Sequence, residues 1–308
     1  MPQATALVRS YVPADLDPSD WAAAAPLFEA LVERPLSTRQ EALDWLDDYS
    51  ELVCVVYEYG STVNIAKACD TESDDVDQAF LHWVEDIDPK LKPIHDRLRR
   101  KLLDSGLADD LPVDRFAVMA RDWRGAVELF RSENVPLQTK LTKLASDYDK
   151  HLGGLTVDFR GEALALPQLA KYQEDPDRAV REAAWRADAE QRLTVRGEID
   201  AIYTEQVALR ETVAKNAGLA DYTEWAWIDK GRFDYTRDDC AAFCDAIAEV
   251  CVPRVRTLNE QRRQQLGVDT LRPWDAGCDA LGRAPLTPFA SDDAQGLVHP
   301  VVNDFLPR

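Results

Sequence analysis

The sequence has 308 residues, 45% of them hydrophobic, which is enough for one large or two ordinary domains with a real core. Its 56 Asp and Glu outnumber 36 Lys and Arg, and the resulting formal charge of -20 repels nucleic-acid backbones and anionic lipid, excluding both as natural partners. Apolar runs such as Trp21 to Ala25 reach only four or five residues, far short of the roughly 20 a membrane-spanning helix requires, so no membrane partner is expected.

The opening Met1-Pro-Gln-Ala-Thr5 has no positive region followed by an apolar run, and a cytoplasmic address is the expectation. Ser37, with Gln40 three residues on, gives a capping-box start, and Ala42, Leu46, Leu52, Val53 and Val56 carry a helix to about Gly60 or beyond. From Val76 through Phe80, Val84, Ile87, Leu91, Ile94, Leu98 and Leu102 runs a long apolar stripe, which Pro89 and Pro93 should kink or divide. Helices are predicted over Val113 to Phe130 and over Val135 to Leu152, the latter stopped by Gly153-Gly154.

Leu155 to Phe159 and Glu162 to Leu166, flanking Arg160-Gly161, read as a β-hairpin. A short helix then opens on Pro167 and ends near Tyr172. Asp175 and Pro176 cap the longest predicted helix, whose stripe continues from Val180 to Val213 and stops at Asn216-Ala217-Gly218. Such a helix of about 40 residues would span roughly 60 Å and act as a spine. Trp225 and Trp227 sit on a short helix; Thr236 with Asp239 opens another, interrupted by Pro253 and ending near Gly267. The fold class is therefore all-α, with one small hairpin near 155–166.

Chemistry is sought first among histidines, cysteines and glycine-rich loops. None of His82, His95, His151 and His299 stands four residues from another or three after a Glu, so HExxH and ExxH are both absent. Asp147 and His151 share a helix face, a spacing more typical of a surface pair than of half a metal site. Cys54, Cys69, Cys240, Cys244, Cys251 and Cys278 should be reduced thiols. Cys240, Cys244 and Cys251 fall on one helix face; they are expected on a buried stripe with Phe243, Ile247 and Val255 rather than on a metal. Phosphate-loop, dinucleotide and serine-hydrolase motifs are missing, and the many carboxylates are accounted for as solvated helix faces. No residue is assigned to catalysis, a cofactor or a metal. Trp45, Trp83, Trp123, Trp185, Trp225, Trp227 and Trp274 are read as core, and Arg272 with Trp274 as fixing an irregular connection.

Four strings carry more specific information: Glu128-Leu-Phe-Arg-Ser-Glu-Asn-Val-Pro-Leu137, Asp175-Pro-Asp-Arg-Ala-Val-Arg-Glu-Ala-Ala-Trp185, Gly231-Arg-Phe-Asp-Tyr-Thr236 and Leu266-Gly-Val-Asp-Thr-Leu-Arg-Pro-Trp-Asp275. In order and spacing they resemble the oligoendopeptidase F family, zinc oligopeptidases related to thimet oligopeptidase, over roughly residues 8 to 290. The resemblance implies an elongated helical array, with 1–174 as an N-terminal helical domain and 175–290 as the first part of a catalytic domain. It also implies short peptides as substrates and zinc as the family's cofactor. In that family the zinc is held by an HExxH helix and a later glutamate, and it polarises the scissile carbonyl and activates a water. Those positions have no counterpart here, so this chain is expected to be truncated before the zinc motif and inactive alone. Residues 291–308, with His299, depart from the family pattern as a divergent tail. The other reading is a non-catalytic helical protein that binds peptides or a partner. Apolar surface left exposed would then serve self-association or a C-terminal half supplied separately. Arg232 and Tyr235 lie in a matching string but receive no substrate contact.

Overall fold

The computed structural model describes residues 11–283, and the predicted tail over 291–308 lies outside them. The chain is mainly helical, with one two-stranded sheet. It packs as two units: residues 11–154 with 195–240, and residues 155–194 with 241–283.

The first unit begins with α1 (Trp21–Glu33), capped by the Asp20 carboxylate on the Ala22 N–H. No helix was predicted there, because its apolar residues form an alanine-rich run rather than a spaced stripe. Helix α2 (Arg39–Cys69) is capped one residue later than expected, by Thr38 and Glu41 rather than Ser37 and Gln40. Both pairs fit the spacing, but the Glu41 carboxylate accepts from the N–H groups of Ser37 at 2.8 Å and Thr38 at 3.0 Å, which a neutral Gln amide does less strongly.

The stripe from Val76 to Leu102 becomes α3 (Asp74–His82), a five-residue π turn over Trp83–Ile87, and α4 (Asp88–Asp104). The π turn answers Pro89: the Asp88 N–H bonds to the Trp83 carbonyl five residues back, and the widened turn makes room for a ring that lacks its own N–H. Pro93 sits inside α4 without ending it. Helices α5 (Val113–Leu129) and α6 (Asn134–Gly153) follow as predicted.

The unit's core joins Phe28 and Leu31 of α1, Trp45, Leu52 and Val56 of α2, Ile87 of the π turn, and Leu91, Leu98 and Leu102 of α4, all essentially buried. Trp83 lies across Gly60 of α2 so closely that an added Cβ would stand 2.7 Å from two of its ring atoms. Glycine is required at that crossing by contact, not by backbone conformation.

The second unit opens with the hairpin, β1 (Thr156–Phe159) antiparallel to β2 (Glu162–Ala165), with Phe159 opposite Glu162. Arg160 and Gly161, both at positive φ (55° and 85°), make the two-residue turn whose twist suits a hairpin. A 3-10 turn containing Pro167 leads into α7 (Ala170–Gln173). The predicted spine is two helices instead, α8 (Arg178–Thr194) and α9 (Arg196–Asn216), the latter belonging to the first unit. The break falls at Val195, whose φ and ψ of -104° and 14° are not helical. Here the Thr194 hydroxyl bonds back to the Gln191 carbonyl, and Gly197 adds another poor helix former. The cap of α8 is Asp177, accepting from the Ala179 N–H; Asp175 instead holds the Asp177 N–H.

Helix α10 (Tyr222–Asp229) carries Trp225 and Trp227. Thr236 and Asp239 exchange bonds at the start of α11 (Arg237–Ala246), as predicted. A second π turn, Ile247–Cys251, precedes Pro253 and leads into α12 (Val252–Leu266).

Candidate functional site

In the first unit a cavity of about 610 Å³ is walled by α2, α4, α5, α10 and the start of α6. Helix α4 contributes Asp88, Lys92, His95 and Arg99, spaced so that all four share one face. That polar face lies one residue round from the apolar stripe of Ile87, Leu91, Ile94 and Leu98. The i, i+4, i+7, i+11 recurrence of these four residues is present in the sequence, beside the stronger signal of the apolar stripe. Helices α5 and α10 add Asp122, Trp123, Trp225 and Asp229.

His95 is 3% exposed and stands edge-on to Phe28 and Tyr49. Burial first, and the Arg99 charge second, hold its imidazole down at about 3, so it is neutral at physiological pH. Burial likewise pushes the Tyr49 phenol up to about 12. The Tyr49 hydroxyl lies 2.9 Å from His95 Nδ1. In the tautomer in which the phenol, the stronger acid, donates to Nδ1, the ring proton sits on Nε2. His95 Nε2, Arg99 Nε and Trp225 Nε1 are all buried without an acceptor among the described residues. Each such buried donor left unpaired costs on the order of 1–3 kcal/mol.

The charges around this cavity divide into spent and unspent. Lys92 is paired with Asp88, and Arg131 gives its guanidinium to the carbonyls of Glu128, Phe130 and Ala217. Arg99 forms no ion pair among the described residues. Burial raises the Asp229 carboxyl, against the lowering effect of Lys230.

The donor set for zinc does not fit. Among the described residues no three His, Cys, Asp or Glu side chains converge on a possible metal. His82 is engaged with Asp86 and the Ser19 carbonyl, and His95 is enclosed by aromatic rings; His299 lies outside the described residues. The six cysteines are free thiols. The expected buried stripe on α11 and α12 is instead exposed, with Phe243 at 67%, Ile247 at 39% and Val255 at 51%, and Cys244 and Cys251 exposed beside them. An apolar stripe is a condition for burial; among the described residues nothing covers this one.

The four strings prove to be joints between elements. In Glu128–Leu137, the buried Asn134 donates to the Val213 carbonyl at 3.0 Å and accepts from the Asn216 amide at 2.8 Å, pinning the end of α9 to the start of α6. In Gly231–Thr236, Arg121 of α5 lies over the Phe233 ring and pairs with Asp234 at 3.0 Å, while Arg232 and Tyr235 pack on Trp227. The remaining two strings meet each other. Asp275, fully buried, accepts two bonds from Arg178 at 2.9 Å, one from Arg181 at 3.3 Å and the Arg272 N–H at 2.9 Å. Burial raises its carboxyl, but the bonds from Arg178, the Arg272 N–H and Arg181 prevail and hold it below the usual range. Arg181, itself 3% exposed, also binds the carbonyls of Trp274, Asp175 and Pro176. Trp274 packs against Trp185 and lies under the guanidinium groups of Arg178 and Arg186.

This joint falls inside residues 171–278, which match the sequence profile of Peptidase family M3. The chain resembles oligoendopeptidase F. Among solved structures it is similar to a protein described as an oligoendopeptidase F from Bacillus anthracis, at 19% identity and a TM-score of 0.87, over 96% of this chain and 55% of that one. A second oligoendopeptidase F structure gives 22% and 0.88, over 97% and 53%. PZ peptidase A with an inhibitor gives 21% and 0.80, over 86% and 48%. At these identities the likeness establishes the fold, and the chain spans about half the length of the structures it matches. A search of curated proteins finds no match. No described helix is long and apolar enough to cross a membrane.

Proposed function

We propose that this chain supplies the helical framework of a zinc oligoendopeptidase acting on short peptides, and that by itself it does not hydrolyse them. The observation that carries the reading is the Arg178–Arg181–Asp275 joint, which unites two of the resembling strings within the segment that matches family M3. On this reading residues 175–290 open the peptidase domain and 1–174 form the helical domain before it. Zinc belongs to the family's activity, while the described residues of this chain hold no donor set for it. A cytoplasmic setting fits six cysteines that form no disulfide.

A second reading, a non-catalytic partner-binding protein, draws on the exposed apolar residues of α11 and α12. Both predict that the isolated chain leaves a quenched fluorescent peptide uncut, with or without a zinc chelator. They part when a polypeptide carrying an HExxH segment of the same family is supplied: chelator-sensitive cleavage on mixing supports the first, and binding without cleavage supports the second. Cleavage by the isolated chain that a chelator abolishes would overturn both.

A further inference from the structure

The cavity of the first unit is not explained by either functional reading. His95, Arg99 and Trp225 line it, and their Nε2, Nε and Nε1 atoms, buried behind the lining, have no partner among the described residues. His95 is more than nine-tenths buried, and Tyr49 fixes its ring from the other nitrogen. Arg99 is a lining cation without an ion pair among the described residues, so the partner it suits best is an anion. The lining also carries the carboxylates of Asp122 and Asp229, which repel a compact polyanion such as phosphate and attract a cation.

We propose that this cavity binds a small zwitterion, a free amino acid or dipeptide, with Arg99 meeting its carboxylate and Asp122 and Asp229 meeting its ammonium group. The volume, about 610 Å³, accommodates such a ligand with room for solvent. Binding here requires neither zinc nor hydrolysis, so it stands whether or not the chain works in a peptidase.

The test uses the full chain labelled with ¹⁵N, following the indole N–H signals of Trp123 and Trp225 during titration with glycylglycine. Trp225→Phe assigns the second signal. Saturable shifts of both are expected. Glycylglycinamide, which lacks the carboxylate, and Arg99→Gln with intact glycylglycine should each weaken binding about tenfold or more, the scale of one charge-assisted hydrogen bond. Arg99→Lys should recover part of the loss. Asp122→Asn should narrow the preference for glycylglycine over its N-acetyl form. If Arg99→Gln loses its dispersed spectrum, the comparison of glycylglycine with its amide decides on unaltered protein. Absence of saturable shifts, equal binding of the amide, or shifts produced by inorganic phosphate and not by glycylglycine would each overturn the proposal.

Discussion

The chain uses one local device twice. Trp83–Ile87 and Ile247–Cys251 are both five-residue π turns, each followed by one residue and then a proline, and in both the residue before the proline bonds to a carbonyl five back. Their surroundings are opposite. Trp83, Val84 and Ile87 are buried under α2 and α4, whereas Ile247 and Val250 are 39% and 62% exposed. The proline dictates the backbone, because a missing N–H and a bulky ring act within one turn. Burial is dictated by whatever else lies over the face, and that is not local.

The largest effects should come from what covers the buried copy and from the joint in the second unit. Trp83→Ala should cost about 3–5 kcal/mol in chemical denaturation, through lost burial and the cavity left above Gly60. A loss under about 1 kcal/mol would mean the two turns are equally loosely held. Arg181→Met should cost about 3–5 kcal/mol, because it leaves the fully buried Asp275 with one guanidinium fewer and removes three bonds to backbone carbonyls. A neutral outcome would mean that apolar packing, not this ionic contact, holds residues 181 and 275 together.

A middle-sized effect concerns pH. The imidazole of His95 sits at about 3 in the fold against 6.5 when free. The unfolded chain therefore takes up a proton below about 6.5 that the folded chain refuses until about 3. Stability is full above 6.5 and falls as pH drops, by up to about 1.4 kcal/mol per unit. Unfolding curves of His95→Gln should lack this slope between pH 6.5 and 5; an unchanged slope would place its origin elsewhere. The smallest effect belongs to the exposed copy, where Val250→Ser should change stability by less than about 0.5 kcal/mol. A cost above about 1 kcal/mol would show that this face is covered in solution.

The same division separates what could be read from the sequence from what could not. The hairpin around Arg160-Gly161, the Thr236–Asp239 box and the stripe through Leu98 were legible because each depends on neighbours within about a turn. The cap of α2 was misplaced by one residue because Ser37–Gln40 and Thr38–Glu41 satisfy the same spacing, and only the strength of the carboxylate as acceptor separates them. The spine was overextended through Val195 because an apolar stripe continues across a break that it does not record. The joint of Arg178 and Arg181 with Asp275 spans more than 90 residues and has no local signal. Of the cavity, only the recurrence of Asp88, Lys92, His95 and Arg99 was visible, and the aromatic enclosure of His95 was not. The resembling strings therefore report architecture, and they carry the fold without carrying the chemistry.

The central claim, that this chain has the oligoendopeptidase fold and that its described residues hold no donor set for zinc, is tested most directly by counting zinc. The purified full chain, loaded with excess zinc and dialysed, should retain far less than one equivalent by atomic emission. One tightly held zinc per chain would contradict the account and would require ligands among residues it leaves unassigned.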